Sequence, residues 1–69
     1  MASQLSKRIG KNIKRARMDR GLTQEALARK AGLSLGYLAR IEIGGHDLPI
    51  STLAGLAKVL RVTIGQLVA

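Results

Sequence analysis

The sequence predicts an all-α fold, one compact domain of five short helices. Three observations lead there. Apolar residues recur at three- and four-residue spacing in successive segments, which is the period of an α-helix, and no segment reads as a strand. Capping residues and glycines punctuate the ends of those segments. The chain has 69 residues, enough for a single domain.

The elements follow in order. Helix 1 is expected from about Leu5 to Arg20, with Leu5, Ile9, Ile13 and Ala16 on one face and Gly21 as its stop. Helix 2 runs from Gln24 to about Ala31 behind Thr23, a good N-cap. Helix 3 runs from Leu35 to about Ile43 behind Ser34, and Gly44 ends it. Leu22 with Leu27, and Leu33 with Leu38, have the spacing of hydrophobic staples, which fix how the chain enters a helix. After the loop Gly44-Gly45-His46-Asp47-Leu48, Pro49 suits the first turn of helix 4, where its missing N–H is harmless. Ile50, Leu53, Leu56, Ala57 and Leu60 form the buried stripe of that helix. Helix 5 starts at Thr63. Thr63 and Gln66 have capping-box spacing, and Val62 and Leu67 form a third staple pair. This helix is short and carries Gly65, so it depends on docking.

Helices 2 and 3 are the informative pair. Ala28 lies in the first, Gly32 in the turn, and Leu38 and Ile41 in the second, the spacing of a helix-turn-helix. Each marker has a steric reason. The crossing point needs a small residue, which Ala28 is. The turn needs a left-handed residue, which glycine adopts without strain. Leu27, Leu38 and Ile41 fill the wedge. The second helix of such a unit can lie in the major groove of DNA.

Charge agrees with that reading. Twelve Lys and Arg against four Asp and Glu give a net charge of +8, which points to a polyanion partner. Lys7, Arg8, Lys11, Lys14, Arg15, Arg17 and Arg20 all precede Leu22. Tyr37 is the only one of Phe, Trp and Tyr present, whereas a base-stacking platform for single-stranded nucleic acid needs several aromatics. With no cysteine, neither disulfides nor thiolate metal sites can support the domain. A domain of this length buries only about 60% of its unfolded surface, so dimerisation is the remaining common support. No apolar run approaches a membrane span, and the N-terminal segment lacks the apolar core of a signal peptide.

From Leu5 to Val68 the chain resembles the Cro/repressor type of helix-turn-helix domain, also called xenobiotic-response-element-like. That type occurs in phage repressors, restriction-modification controller proteins and small bacterial regulators. The markers are Gly21-Leu22-Thr23-Gln24, Leu27-Ala28, Ala31-Gly32-Leu33-Ser34, Tyr37-Leu38, Arg40-Ile41-Glu42 and Gly44. Thr52-Leu53, Leu56-Ala57, Val62-Thr63-Ile64 and Gln66-Leu67 follow. The resemblance implies a lambda-repressor-like five-helix fold, with residues 1–69 as one DNA-binding domain. It implies a cytoplasmic transcriptional regulator that binds operator DNA as a homodimer, without enzymatic activity, cofactor or metal.

The resemblance also assigns residues. Thr23 and Gln24 open helix 2 where a phosphate would sit against free N–H groups and the positive end of the helix. Arg17 and Glu42 match an ion pair between helices 1 and 3, with Arg17 also near the DNA backbone; the alternative is two unrelated surface charges. Ser34, Leu35, Gly36, Tyr37 and Arg40 occupy the half of helix 3 that meets bases and flanking phosphates. Only Arg40 among them has an obvious base-reading side chain, able to grip guanine. Leu35 offers apolar contact, and Gly36 offers no side chain. Direct readout is therefore expected to be thin, with DNA shape carrying part of it. Asp47 would repel phosphate if it faced DNA, and His46 belongs to no metal-ligand cluster in the sequence. Leu35, Ile43, Leu48, Ile64 and Val68 exceed what one small core can hold. A homodimer contact is therefore expected through the helix 3–4 loop and helix 5, using Leu48, Ile50, Ile64, Leu67 and Val68.

Two other classes compete. The fold can serve as a protein-interaction module, antitoxin-like or bridging, with weak or no base readout; Leu35, Gly36 and Ile43 favour that. Helix 1 alone could be a basic membrane-surface helix, but its Leu5, Ile9 and Ile13 face is better explained as core. An enzyme is not indicated, because the chain has no nucleophile–base constellation and no phosphate-cradling glycine loop.

Overall fold

The computed structural model describes residues 3–69. Five helices follow one another: α1 (Gln4–Asp19), α2 (Gln24–Ala31), α3 (Leu35–Glu42), α4 (Ile50–Leu60) and α5 (Ile64–Val68). No strand occurs among the described residues. α1 packs on α3 and α5, α2 packs on α3 and α4, and α4 also meets α1 and α5.

The ends of the helices show why the chain breaks where it does. Thr23 Oγ1 accepts from the Ala26 N–H at 3.0 Å, and Ser34 Oγ accepts from the Tyr37 N–H at 3.1 Å. Each bond satisfies a donor that the first helical turn leaves free. Gly32 adopts φ 71°, and the Leu33 N–H returns to the Ala28 carbonyl at 2.8 Å, closing α2. Thr63 and Gln66 form the reciprocal capping box that starts α5, with bonds of 3.0 and 2.8 Å. Two ends go beyond the caps expected from the sequence. Ser3 caps α1 by accepting from the Ser6 N–H at 3.0 Å. α4 ends on Arg61 at φ 56°, a left-handed conformation adopted here without glycine. Pro49 stands at the N-cap of α4, one residue ahead of its expected place.

The core joins Ile9, Ile13, Leu27, Ala28, Leu38, Ile41, Leu53, Leu56, Ala57, Leu60 and Leu67. Fully burying one of the larger side chains is worth about 1.5–3 kcal/mol. Leu27, Leu38 and Ile41 fill the α2–α3 wedge, with Ala28 buried at the crossing.

Three expected placements are corrected. Leu5 is 47% exposed, and Ser6 and Gly10 share the inward face of α1 with Ile9 and Ile13. The reason is the close approach of α1 to α3. A Cβ on Gly10 would run into the Ile41 carbonyl oxygen and stand 2.8 Å from that of Glu42. Gly10 therefore faces α3, Ser6 faces Asp47 of the following loop, and Leu5 is left exposed. Ile50 is 72% exposed, because it opens α4 one turn ahead of Leu53, the first residue of that helix to enter the core. Leu67 is buried in the core, so it is removed from the expected dimer contact. Leu48, Ile64 and Val68 are half-buried against the same core.

The glycines of α1 and α4 give opposite predictions. Gly10→Ala should destabilise the fold by about 1–3 kcal/mol, since both neighbours it meets are backbone. A Cβ on Gly55 meets nothing within 4 Å, so Gly55→Ala should stabilise by about 0.5–1 kcal/mol through helix propensity. Urea denaturation of both variants checks the pair, and a neutral Gly10→Ala would contradict the α1–α3 packing.

Candidate nucleic-acid interface

The candidate surface is organised around one carboxylate. Glu42 ends α3 with its side chain 2% exposed, and a buried charge must be matched. Arg17 of α1 matches it with two bonds, Nε to Oε2 at 2.7 Å and Nη2 to Oε1 at 3.1 Å. This fork geometry is the stronger form of an ion pair. The third guanidinium nitrogen, Nη1, donates to the Leu22 carbonyl at 2.8 Å, at the entry to α2. Gln24 Nε2 donates to Glu42 Oε1 at 2.9 Å. One carboxylate thus fastens α1, the first turn of α2 and the end of α3.

Two expected phosphate contacts are therefore engaged inside the protein. Arg17 is 12% exposed, and each of its three nitrogens makes one bond inside the protein. Gln24 is half-buried with its amide on Glu42, a link that spacing alone did not show. Thr23 and Ser34 are exposed, and as caps each uses only a lone pair. Their hydroxyl protons remain donors for an anion. The N–H groups that open α2 point the same way as the positive end of that helix. The one acid of that turn, Glu25, is exposed and lies 3.9 Å from Arg29.

The surface of α3 presents the other residues, Leu35, Gly36 and Tyr37 from its N-terminal half and Arg40 from its last turn. Leu35 is 47% exposed, Gly36 and Arg40 are exposed, and Tyr37 is half-buried against the core. The Arg40 side chain reaches back along its helix, and a Cβ on Gly36 would lie 3.8 Å from its Nη1. Its Nε donates to His46 Nε2 at 3.2 Å. The His46 ring meets Tyr37 edge-on, with centroids 5.6 Å apart. Sequence reading missed His46 here, because a loop residue six positions after Arg40 follows no helical spacing.

Asp47 turns away from this face. It accepts hydrogen bonds from Ser6 Oγ and from Ser3 Oγ, tying the α3–α4 loop to the start of α1. The Ser6 hydroxyl, followed by Ser3, holds its carboxyl below the ordinary carboxylate range. Because the folded value is the lower one, the tie stabilises the fold above the ordinary range and is lost as pH falls through the folded value.

Comparison with known proteins agrees with this geometry. A family model described as helix-turn-helix matches residues 13–67. The immunity repressor protein of Bacillus phage phi105 is 42% identical over 60 residues, which cover 87% of this chain and 42% of the repressor. An HTH-type transcriptional regulator, y4dJ, of Sinorhizobium fredii is 38% identical over 64 residues, covering 93% of this chain and 83% of its own length. The structure of SinR, a master regulator for biofilm formation, in complex with DNA superposes with a TM-score of 0.82 at 35% identity. That match covers 88% of this chain and 98% of SinR. The chain thus spans under half the length of the phage repressor and most of the other two.

The Arg17–Glu42 pair makes a prediction of its own. Glu42→Ala should cost about 2–4 kcal/mol, because it strands the Arg17 charge in a nearly buried site. A double-mutant cycle with Arg17→Ala should give a coupling above about 1 kcal/mol, whereas an exposed pair gives a few tenths. A coupling of only a few tenths would contradict the buried geometry.

Proposed function

This chain belongs to the helix-turn-helix family, and on that premise we propose that it regulates transcription by reading double-stranded DNA with α3. The observation that carries this reading is the exposed N-terminal half of α3, set rigidly beside the first turn of α2 by the shared bonds to Glu42. Two surfaces in fixed relation suit one groove and its flanking phosphate. The relatives compared are a repressor and a transcriptional regulator, and one similar structure holds DNA. They support a regulatory reading with no catalytic role. The net charge of +8 supplies the attraction to phosphate.

Roles follow from the geometry. Arg40 contributes base reading, with its guanidinium aimed at a guanine edge. Leu35 offers an apolar contact, and Gly36 lets the backbone approach. Thr23, Ser34 and the N–H groups at the start of α2 anchor phosphate, and such contacts carry no sequence information. Gln24 and Arg17 act by holding α2 and α3 in place. A homodimer on an inverted repeat completes the proposal, through the apolar surface of Leu48, Ile50, Ile64 and Val68. No helix is long and apolar enough to cross a membrane, and the proposed setting is the cytoplasm.

A second reading keeps the fold and drops the DNA. Leu35 at 47% and Ile43 at 78% exposed are apolar residues in and just after the reading helix, which suits a protein-interaction module.

Selection of bound sites from a pool of random DNA duplexes separates the two. The DNA reading predicts an enriched inverted repeat whose half-site centres lie about 10 base pairs apart, or a multiple of it. Inserting about five base pairs between half-sites should abolish cooperative binding, because it turns one half-site to the opposite face of the duplex. Affinity should also fall steeply with salt. A pool with no enrichment at any position would hand the surface to the interaction module.

A further inference from the structure

We propose that His46 is a specificity-determining positioning residue: it selects which edge of the Arg40 guanidinium reaches the DNA bases. The proposal rests on α3 being the reading helix. A guanidinium carries two donor forks, one formed by Nε with a neighbouring Nη and one formed by the two Nη atoms. His46 Nε2 accepts from Arg40 Nε at 3.2 Å, which occupies the side fork. The end fork remains, and its paired donors match the O6 and N7 acceptors of guanine. Acceptance at Nε2 requires the neutral ring with its proton on Nδ1.

The imidazole has one further contact, and the loop that carries it is fixed on both sides. Tyr37 meets its ring edge-on at 5.6 Å between centroids. On one side of His46 in the chain, the Gly45 N–H donates to the Arg40 carbonyl at 2.8 Å. On the other side, Asp47 is bonded to Ser3 and Ser6 of α1. The loop is therefore pinned immediately before and after His46, and one of the pins is the backbone of Arg40. The guanidinium lies over Gly36, where a Cβ would make ordinary van der Waals contact with Nη1 at 3.8 Å. A long arginine on a helix surface ordinarily samples many rotamers; this one has its Nε, an atom in the plane of the fork, bonded to His46.

The test compares base-preference profiles of the full chain on a pool of random DNA duplexes. Wild type should prefer guanine at one position per half-site, and Arg40→Ala should abolish that preference. His46→Ala should reduce the same preference roughly tenfold while leaving the other positions as they were. His46→Gln, whose side-chain oxygen can accept from Nε, should restore most of it. Arg40→Ala combined with His46→Ala should match Arg40→Ala alone. A merely structural role for His46 would weaken all positions together and would show no rescue by Gln. The proposal is overturned if His46→Ala keeps the guanine preference that Arg40→Ala loses, or if His46→Gln behaves as His46→Ala. It is also overturned if Arg40→Ala leaves the profile unchanged, although DNA reading by α3 survives that outcome. A wild-type profile flat at every position overturns the reading of α3 itself, and this proposal with it.

Discussion

A single buried carboxylate sets the frame of this domain. Glu42 sits at the end of α3, where water is excluded and a charge must be compensated by the protein. Arg17 supplies the opposite charge from α1 and Gln24 supplies an amide from α2. At the same level Gly10 lets α1 approach the backbone carbonyls of Ile41 and Glu42. Polar bonding and close packing thus converge on one point. The consequence reaches the surface: the entry to α2 and the axis of α3 cannot shift independently. The proposed phosphate anchor and base reader would need a fixed separation, and this arrangement provides it.

The distribution of charge follows the same logic. The chain has only four acidic residues against twelve basic ones. Glu42 is buried on Arg17, and Asp47 is drawn to the serines at the start of α1. Glu25 lies beside Arg29. Two carboxylates close to α3 in sequence are therefore directed inward or sideways, and the exposed part of that helix presents Arg40 without an acid of its own. Binding that depends on a polyanion profits from the surplus of cations, and neither Glu42 nor Asp47 offsets it at the exposed part of α3.

Much of this was legible in the residues, and the limits were physical. Thr23, Ser34 and the Thr63–Gln66 pair announced their helices because capping is a local bond between residues three apart. Gly32 marked its turn because only a left-handed residue closes α2 onto α3. The end of α4 was not marked, since Arg61 adopts that conformation without glycine. The inward face of α1 was misplaced at Leu5 because periodicity reports apolar spacing, whereas α3 approaches closely at Gly10 and the following loop bonds Ser6 through Asp47. Exposure of Ile50 and burial of Leu67 depend on where short helices dock, which spacing does not encode. The Arg17–Glu42 pair followed from resemblance, but its third member, Gln24, and the contact of His46 with Arg40 are tertiary facts.

The central claim is that α3, held by the Glu42 bonds beside the entry to α2, meets double-stranded DNA. Amide chemical-shift mapping by NMR tests it most directly, on the labelled chain titrated with a duplex obtained by site selection. The account predicts that the largest changes fall at Thr23–Glu25 and Ser34–Tyr37, and at the Arg40 side chain. The buried residues of α4 should change little. Changes concentrated on α4 and α5, with α3 unaffected, would contradict it.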